Sequence, residues 1–159
     1  MIRAQEKSRR SSLLRPTVLF AALVLVFLSS VRPAPAAERM AVNVHEANVR
    51  AEPGTDKPTL WKLEKYYPVL VTEKKDGWVR VRDFEGDEGW IYAKLLKKMA
   101  TVVVSVDRAV IRSGPGKTYR IVIRAERGVP FLVLKRQGHW IQVRHEAGHK
   151  GWIHDTLVW

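Results

Sequence analysis

The chain has 159 residues, a formal net charge of +12 at neutral pH and no cysteine. Without cysteine it can form no disulfide, no cysteine zinc site and no cysteine nucleophile. Residues 38–98 carry 12 Lys and Arg against 11 Asp and Glu, or +1, whereas residues 99–159 carry 10 against 4, or +6. We expect this basic second half either to keep the protein soluble or to attract an anionic polymer.

The N-terminal segment has the pattern of a secretory signal peptide. Five basic residues precede residue 16, an apolar run spans residues 18–31, and Ala34-Pro35-Ala36 has the small-x-small form of a signal-peptidase site. A membrane anchor is the alternative, but about 14 apolar residues fall short of the roughly 20 that span a bilayer. We therefore predict that residues 1–37 are a signal peptide and that the protein is exported to the periplasm or cell envelope. Contact with a membrane is expected only through this segment, if it is not cleaved.

The rest of the chain is an internal repeat. Residues 78–90 read W-V-R-V-R-D-F-E-G-D-E-G-W, and residues 140–152 read W-I-Q-V-R-H-E-A-G-H-K-G-W. At this offset of 62, residues 42–97 and 104–159 are identical at 18 of 56 positions. We predict two folding units, residues 38–98 and 99–159, each close to the lower size limit for an independent core. The few residues between them are too short for a flexible tether.

Each unit has the sequence pattern of several short β-strands separated by turns. In the first unit, residues 42–49 alternate between apolar and polar side chains, and a turn-rich loop then runs to Pro58. Further strands are predicted over residues 60–63, 69–72, 78–82, 89–92 and 95–97, with Asp76-Gly77 as a tight turn. Helical periodicity is missing from residues 38–159. The pattern predicts an all-β fold in which each unit is a small, strongly bent barrel of about five strands.

Three motifs, in the same order in both units, carry a family resemblance. The second unit has I-R-S-G-P-G at residues 111–116, G-H-W-I-Q-V at 138–143 and G-W-I-H at 151–154, and the first has N-V-R at 48–50, G-W-V-R-V at 77–81 and G-W-I at 89–91. These motifs resemble the bacterial SH3-like (SH3b) domain, which implies two tandem SH3-like β-barrels. The chain departs from the usual pattern at Glu52, where Gly is usual, and at Val110, where Asn is usual. The resemblance implies non-catalytic attachment, often to peptidoglycan or its peptide stems.

One segment matches a metalloprotease signature. His145-Glu146-Ala147-Gly148-His149 has the form H-E-x-x-H, which binds zinc only when a helix aims both imidazoles at one metal. The repeat instead aligns this segment with Asp83–Asp87 in a hairpin turn, and Gly148 disfavours a helix. We predict no metal site and no cofactor. Incidental metal binding stays open, because four histidines lie in the second unit, and zinc titration would test it. They are His139, His145, His149 and His154.

The remaining acidic residues do not form a repeated catalytic pattern. Four of them cluster in the first unit, at positions 76, 83, 87 and 88, and the second unit has Gly, His, His and Lys at the corresponding positions. A solvated turn is therefore the interpretation that we favour over an acid/base pair. We predict that the chain is not an enzyme.

Aromatic residues are the predicted ligand contacts. Period-2 alternation places Val79 and Val81 on one face of a strand and Trp78 and Arg80 on the other. We expect the corresponding Trp78 and Trp140 either to be exposed beside cations or to be covered by the long first loop. For Trp90 and Trp152, packing at the barrel edge is the alternative, and Tyr66 and Tyr67 are further candidates. The predicted ligand-binding residues are Trp78, Arg80, Tyr92, Tyr119, Trp140, Arg144, Trp152 and His154.

These observations lead to three functional hypotheses. The first is an exported, non-catalytic module that binds peptidoglycan peptides, with Arg112, Arg120 and Arg144 meeting stem carboxylates. The second is a periplasmic adaptor that takes a segment of an envelope protein at a strand edge or groove. The third, nucleic-acid binding by the basic second unit, is disfavoured by the predicted export, and we expect no nucleic-acid partner.

Overall fold

The computed structural model describes residues 37–159, which lie within one compact unit. The predicted signal peptide therefore falls outside the described residues, apart from Ala37. In the described part of the chain, no helix is long and apolar enough to cross a membrane.

The described residues form two antiparallel sheets, one for each copy of the repeat. The strands are β1 (Glu38–Val42), β2 (Glu46–Arg50), β3 (Thr59–Glu64), β4 (Pro68–Lys75), β5 (Trp78–Arg82), β6 (Glu88–Tyr92), β7 (Leu96–Lys97), β8 (Thr101–Val103), β9 (Arg108–Arg112), β10 (Ile121–Glu126), β11 (Pro130–Gln137), β12 (Trp140–Arg144) and β13 (Lys150–His154). The first sheet has seven strands in the order β3-β2-β6-β5-β4-β1-β7, and the second has six in the order β10-β9-β13-β12-β11-β8. Two short 3-10 helices, Ala93–Leu95 and Asp155–Leu157, follow β6 and β13.

The all-β prediction is confirmed, and one predicted strand is wrong. Residues 42–49 do not form a single strand, because the chain bends between β1 and β2. The two halves join different neighbours: β1 pairs with β4 and β7, whereas β2 pairs with β3 and β6. The predicted turn at Asp76-Gly77 is present, with φ values of 48° and 81° that suit a two-residue hairpin turn.

Each sheet buries one face, as the alternation in the sequence predicts. Val79, Val81, Ile141 and Val143 are at most 3% exposed. Gly151 on β13 pairs with Val143, and glycine is needed there because a Cβ would come within 2.4 Å of a side-chain carbon of Ile111. The glycine of the repeated Gly-Trp-Ile step therefore lets β13 approach β9 closely.

Strand β8 belongs to the second sheet, and together with the next residue, Val104, it contributes to both cores. Val102 and Val104 pack in the core of the second barrel, while Val103 between them is fully buried in the core of the first. Trp159 also packs against the first core, and its backbone exchanges two hydrogen bonds with Val103, of 2.9 and 3.1 Å. The predicted boundary at residue 98 stays a prediction, but two residues beyond it stabilise the first barrel.

Charged pairs also link the two barrels. Glu146 lies 3.1 Å from His45 and 3.7 Å from Lys65, and Arg127 lies 2.8 Å from Glu85. Exposed pairs of this kind contribute little to stability, about 0–1 kcal/mol each. The buried contacts of β8 therefore do more than these ion pairs to hold the barrels together.

Candidate binding groove

An aromatic pair lies at the same place on the outer face of each barrel. Trp78 on β5 is the cross-strand partner of Tyr92 on β6, and their ring centroids are 5.6 Å apart. Trp140 on β12 is the partner of His154 on β13, and these rings meet edge to face at 5.2 Å. Both tryptophans are partly buried, and their strand neighbours point into the core. Trp78 and Trp140 therefore lie on the face opposite to the core residues of their strands.

The pair in the second barrel lines a cleft of about 300 Å³, which we call the Trp140 groove. Its walls combine aromatic, apolar and cationic side chains, and a volume of this size suits part of a peptide. Lys117, from the long first loop, lines the same groove as the aromatic pair, and Trp140 remains partly exposed beside the loop. The lining residues are Val110, Arg112, Lys117, Trp140, His154, Thr156 and Leu157.

An arginine in each barrel fixes the position of the first loop. The guanidinium of Arg112 donates to the carbonyl oxygen of Tyr119 at 2.7 Å, and Arg50 donates in the same way to Lys57. These are corresponding positions of the repeat. Arg112, which we expected to meet a ligand carboxylate, therefore has a structural task as well as a place in the groove.

The two loops are packed differently. In the second barrel the ring of Tyr119 lies against Gly114, where a Cβ would come within 2.4 Å of it. In the first barrel the corresponding residues are Lys57 and Glu52, whose charged groups are 3.5 Å apart. An ion pair thus replaces a tyrosine packed on glycine, which accounts for the departure at Glu52. Tyr119 remains 47% exposed and available to a ligand.

The structure separates several predicted contacts from the groove. Arg80 is neutralised by Glu88 at 2.8 Å. Arg144 is four residues along β12 from Trp140, which at about 3.3 Å per residue is about 13 Å. Trp152 is only 6% exposed, with the amine of Lys135 5.2 Å from its ring centroid. It offers almost no surface to a ligand, so we remove Trp152 from the candidate site.

The two further tyrosine candidates are not part of the groove. Tyr67 is 8% exposed and belongs to the core of the first barrel. Burial, followed by the nearby Asp83, raises the pKa of its hydroxyl. Tyr66 has a φ of 72° beside the core, with the amine of Lys65 5.6 Å from its ring centroid.

The H-E-x-x-H segment is a hairpin turn. The backbone N–H of His145 donates to the carbonyl of His149 at 2.9 Å, and the ring Nδ1 of His145 accepts from the N–H of Ala147 at 3.2 Å. In the first barrel, Asp83 accepts from Glu85 N–H in the same way, at 2.9 Å. The first histidine of the motif is therefore a turn-capping residue. Within residues 37–159, no group of three or more histidine and acidic side chains is arranged to hold a metal ion.

Four groove residues were not predicted as contacts: Val110, Lys117, Thr156 and Leu157. Val110 is the position where the sequence departs from the usual asparagine, which was a usable signal. Lys117 is a cation in the middle of the first loop, and only the folded loop brings it to Trp140. The 3-10 helix that carries Thr156 and Leu157 has no periodicity by which a sequence would reveal it.

Known proteins that resemble the chain include enzymes of larger size. It is 27% identical, over 155 residues, to "Putative N-acetylmuramoyl-L-alanine amidase YrvJ" of Bacillus subtilis, an alignment covering 89% of this chain and 29% of that protein. It is 35% identical, over 52 residues, to "Probable cell wall amidase LytH" of Staphylococcus epidermidis, covering 32% of this chain and 18% of that protein. The chain thus spans less than a third of the length of these relatives.

Among solved structures, an NlpC/P60 family protein from Bacillus cereus matches 77% of this chain and 56% of its own, with a TM-score of 0.39 and 15% identity. NlpC1 from Trichomonas vaginalis matches 77% of this chain and 45% of its own, with a TM-score of 0.36 and 19% identity. The family described as "Bacterial SH3 domain" matches residues 43–98 and again residues 105–159. The chain therefore belongs to the bacterial SH3 domain family, with two copies of the domain in tandem.

Proposed function

We propose that the protein is an exported, non-catalytic module that binds peptidoglycan through its peptide stems in the bacterial cell envelope. The observation that carries this proposal is the aromatic pair repeated on the outer face of both barrels, beside a cleft in the second. Flat aromatic surfaces with polar edges suit peptides, because they offer apolar contact at little cost in conformational entropy. The cationic side chains of Arg112 and Lys117 complement the carboxylates of an anionic peptide.

The relatives are consistent with this proposal. Both relatives are named as amidases, and the parts that align with this chain make up 29% and 18% of their lengths. A module of this kind would concentrate a protein at the wall without cleaving it. We infer that any hydrolytic activity of such assemblies belongs to other domains or other chains.

The test is co-sedimentation of the purified protein with isolated sacculi at low salt. We expect the protein to pellet, and the Trp140→Ala variant to lose about tenfold or more in affinity, as aromatic anchors commonly do. Leu134→Ala is the matched control, because Leu134 is 39% exposed and lies outside the groove. Circular dichroism checks that both variants fold. If the folded wild-type protein stays in the supernatant, the proposal fails.

A protein-interaction adaptor is the second candidate, and the edge strands favour it. Leu60 on β3 and Val122 on β10 occupy corresponding repeat positions on the outer strand of each sheet, and they are 51% and 39% exposed. An exposed strand edge with apolar side chains can accept an extended segment of another protein. Crosslinking in an envelope extract before and after protease treatment separates the two candidates. Binding that disappears with protease and with Val122→Lys supports the adaptor, and binding that survives both supports the wall.

A further inference from the structure

A second cleft lies where the two barrels meet, away from the Trp140 groove. Its volume is about 650 Å³, which is within the range of small-ligand sites. We call it the junction cleft. It is lined by Arg39, Lys98, Met99, Ala100, Thr101, Val102, Arg136, Ile141, Asp155, Val158 and Trp159.

Three cations line the junction cleft without a carboxylate partner. Arg39, Lys98 and Arg136 each lie more than 4.0 Å from every carboxylate among residues 37–159. Burial, and then the like charge of Arg136, lower the pKa of the Arg39 guanidinium. Two arginines that repel one another and have no acid between them form an arrangement that an anion would stabilise.

The arginine from the first barrel is held in place. The guanidinium carbon of Arg39 lies 3.8 Å from the ring centroid of Trp159, and its Nη2 donates to the carbonyl oxygen of Thr101 at 3.5 Å. Stacking on an aromatic ring leaves the edge of a guanidinium free for a planar anion. Arg39 is therefore oriented in advance of any ligand.

A buried hydroxyl supplies an independent indication of a ligand. Thr101 is only 5% exposed, and its Oγ1 has no hydrogen-bond partner. Buried polar side chains almost always have a partner, so an unpaired one in the wall of a cleft calls for an explanation. Because Oγ1 has less than 1 Å² of accessible surface, a ligand oxygen in the cleft would provide the missing acceptor only after the Thr101 side chain rotates.

The one acid of the cleft limits the charge of the ligand. Asp155 places its Oδ2 2.9 Å from Nδ1 of His139, whereas its buried Oδ1 lies 3.3 Å from Nδ1 of His154 without forming a hydrogen bond. The negative charge of Asp155 repels a dianion such as phosphate more strongly than a single carboxylate. The other walls are apolar, through side chains such as Met99 and Val158. A carboxylate carried on a small apolar group fits both features.

We propose that the junction cleft binds the free C-terminal carboxylate of a short peptide, with Arg39 and Arg136 as the ligands of that carboxylate. This goes beyond the proposed function, because the site is distinct from the Trp140 groove and uses residues of both barrels. It also depends on the shared strand β8, which begins at Thr101.

Isothermal titration of the full chain with N-acetyl-alanylalanine tests the proposal. We expect saturable binding, and a loss of about tenfold or more for the C-terminal amide of the same peptide, because the charge-assisted hydrogen bonds disappear. Arg136→Ala should reduce affinity to a similar extent. Arg136 is the first choice for substitution because its side chain is exposed, whereas Arg39 packs on Trp159.

Arg108→Ala is the matched control, since Arg108 is an exposed arginine on β9 outside the junction cleft. Its affinity for the peptide should equal that of the wild type. Equal binding of acid and amide, unchanged binding by Arg136→Ala, or equal losses in both arginine variants would overturn the proposal. So would binding of inorganic phosphate alone. The titration does not involve sacculi or the Trp140 groove, so its outcome is separate from that of the co-sedimentation assay.

Discussion

Replacing Val103, the last residue of strand β8, or the next residue, Val104, should weaken different barrels, because the two side chains are buried in different cores. Val103 is fully buried in the first core and Val104 is fully buried in the second. Truncation to alanine removes two methyl groups, which at about 0.8 kcal/mol each is about 1.6 kcal/mol, and the cavity adds to this. We expect each variant to lose about 2 kcal/mol of local stability.

Native-state hydrogen exchange measures where the loss occurs. In Val103→Ala, amides of β5 in the first barrel should exchange about 30-fold faster, as about 2 kcal/mol requires. In Val104→Ala, amides of β12 in the second barrel should show this acceleration instead. The two variants are matched controls for one another, because they are the same substitution at adjacent, equally buried positions. Equal acceleration of both strands by both variants would refute the assignment of these two neighbouring valines to separate cores.

Three further predictions concern single residues. Gly151→Ala should lower the free energy of unfolding by about 1–3 kcal/mol in urea titrations, because the added Cβ overlaps Ile111. An unchanged urea midpoint would contradict this overlap. His145→Ala should cost about 1 kcal/mol through loss of the turn cap, and His145→Asp should restore it, as Asp83 indicates. Hydrogen bonding from His139 lowers the pKa of Asp155. The ionised Asp155 therefore stabilises the fold above its ordinary pKa of about 3.9, and this contribution disappears as the pH falls through the lowered pKa. Asp155→Asn should shift the urea midpoint at about pH 6 and not at about pH 2.

The barrels could be predicted because their constraints are local and repeated. Alternation along Trp78–Arg82 fixes which side chains enter the core, and Asp76-Gly77 fixes the turn before it. The repeat also decided the meaning of H-E-x-x-H, since a turn in one copy argues for a turn in the other. The bend between β1 and β2 was missed, because alternating residues continue through it and only the sheet partners change.

The grooves could be predicted only in part. The partners Trp140 and His154 follow from alternation on neighbouring strands. The exclusion of Trp152 does not, because Lys135 on β11 comes to lie over its ring only when the second sheet is assembled. The junction cleft was missed altogether, since Arg39 and Arg136 are far apart in sequence and belong to different copies of the repeat.

The shared strand has a consequence for binding to a polymer. Because β8 fixes one barrel against the other, the aromatic pairs at Trp78 and Trp140 are held at a set distance and angle. If the binding sites on a polymer match that spacing, the second barrel binds at a high effective concentration once the first is bound. If they do not match, the second barrel adds nothing to the affinity. A flexible linker would tolerate many spacings, whereas this connection selects one. The protein would then select a ligand by the spacing of its binding sites as well as by their chemical identity.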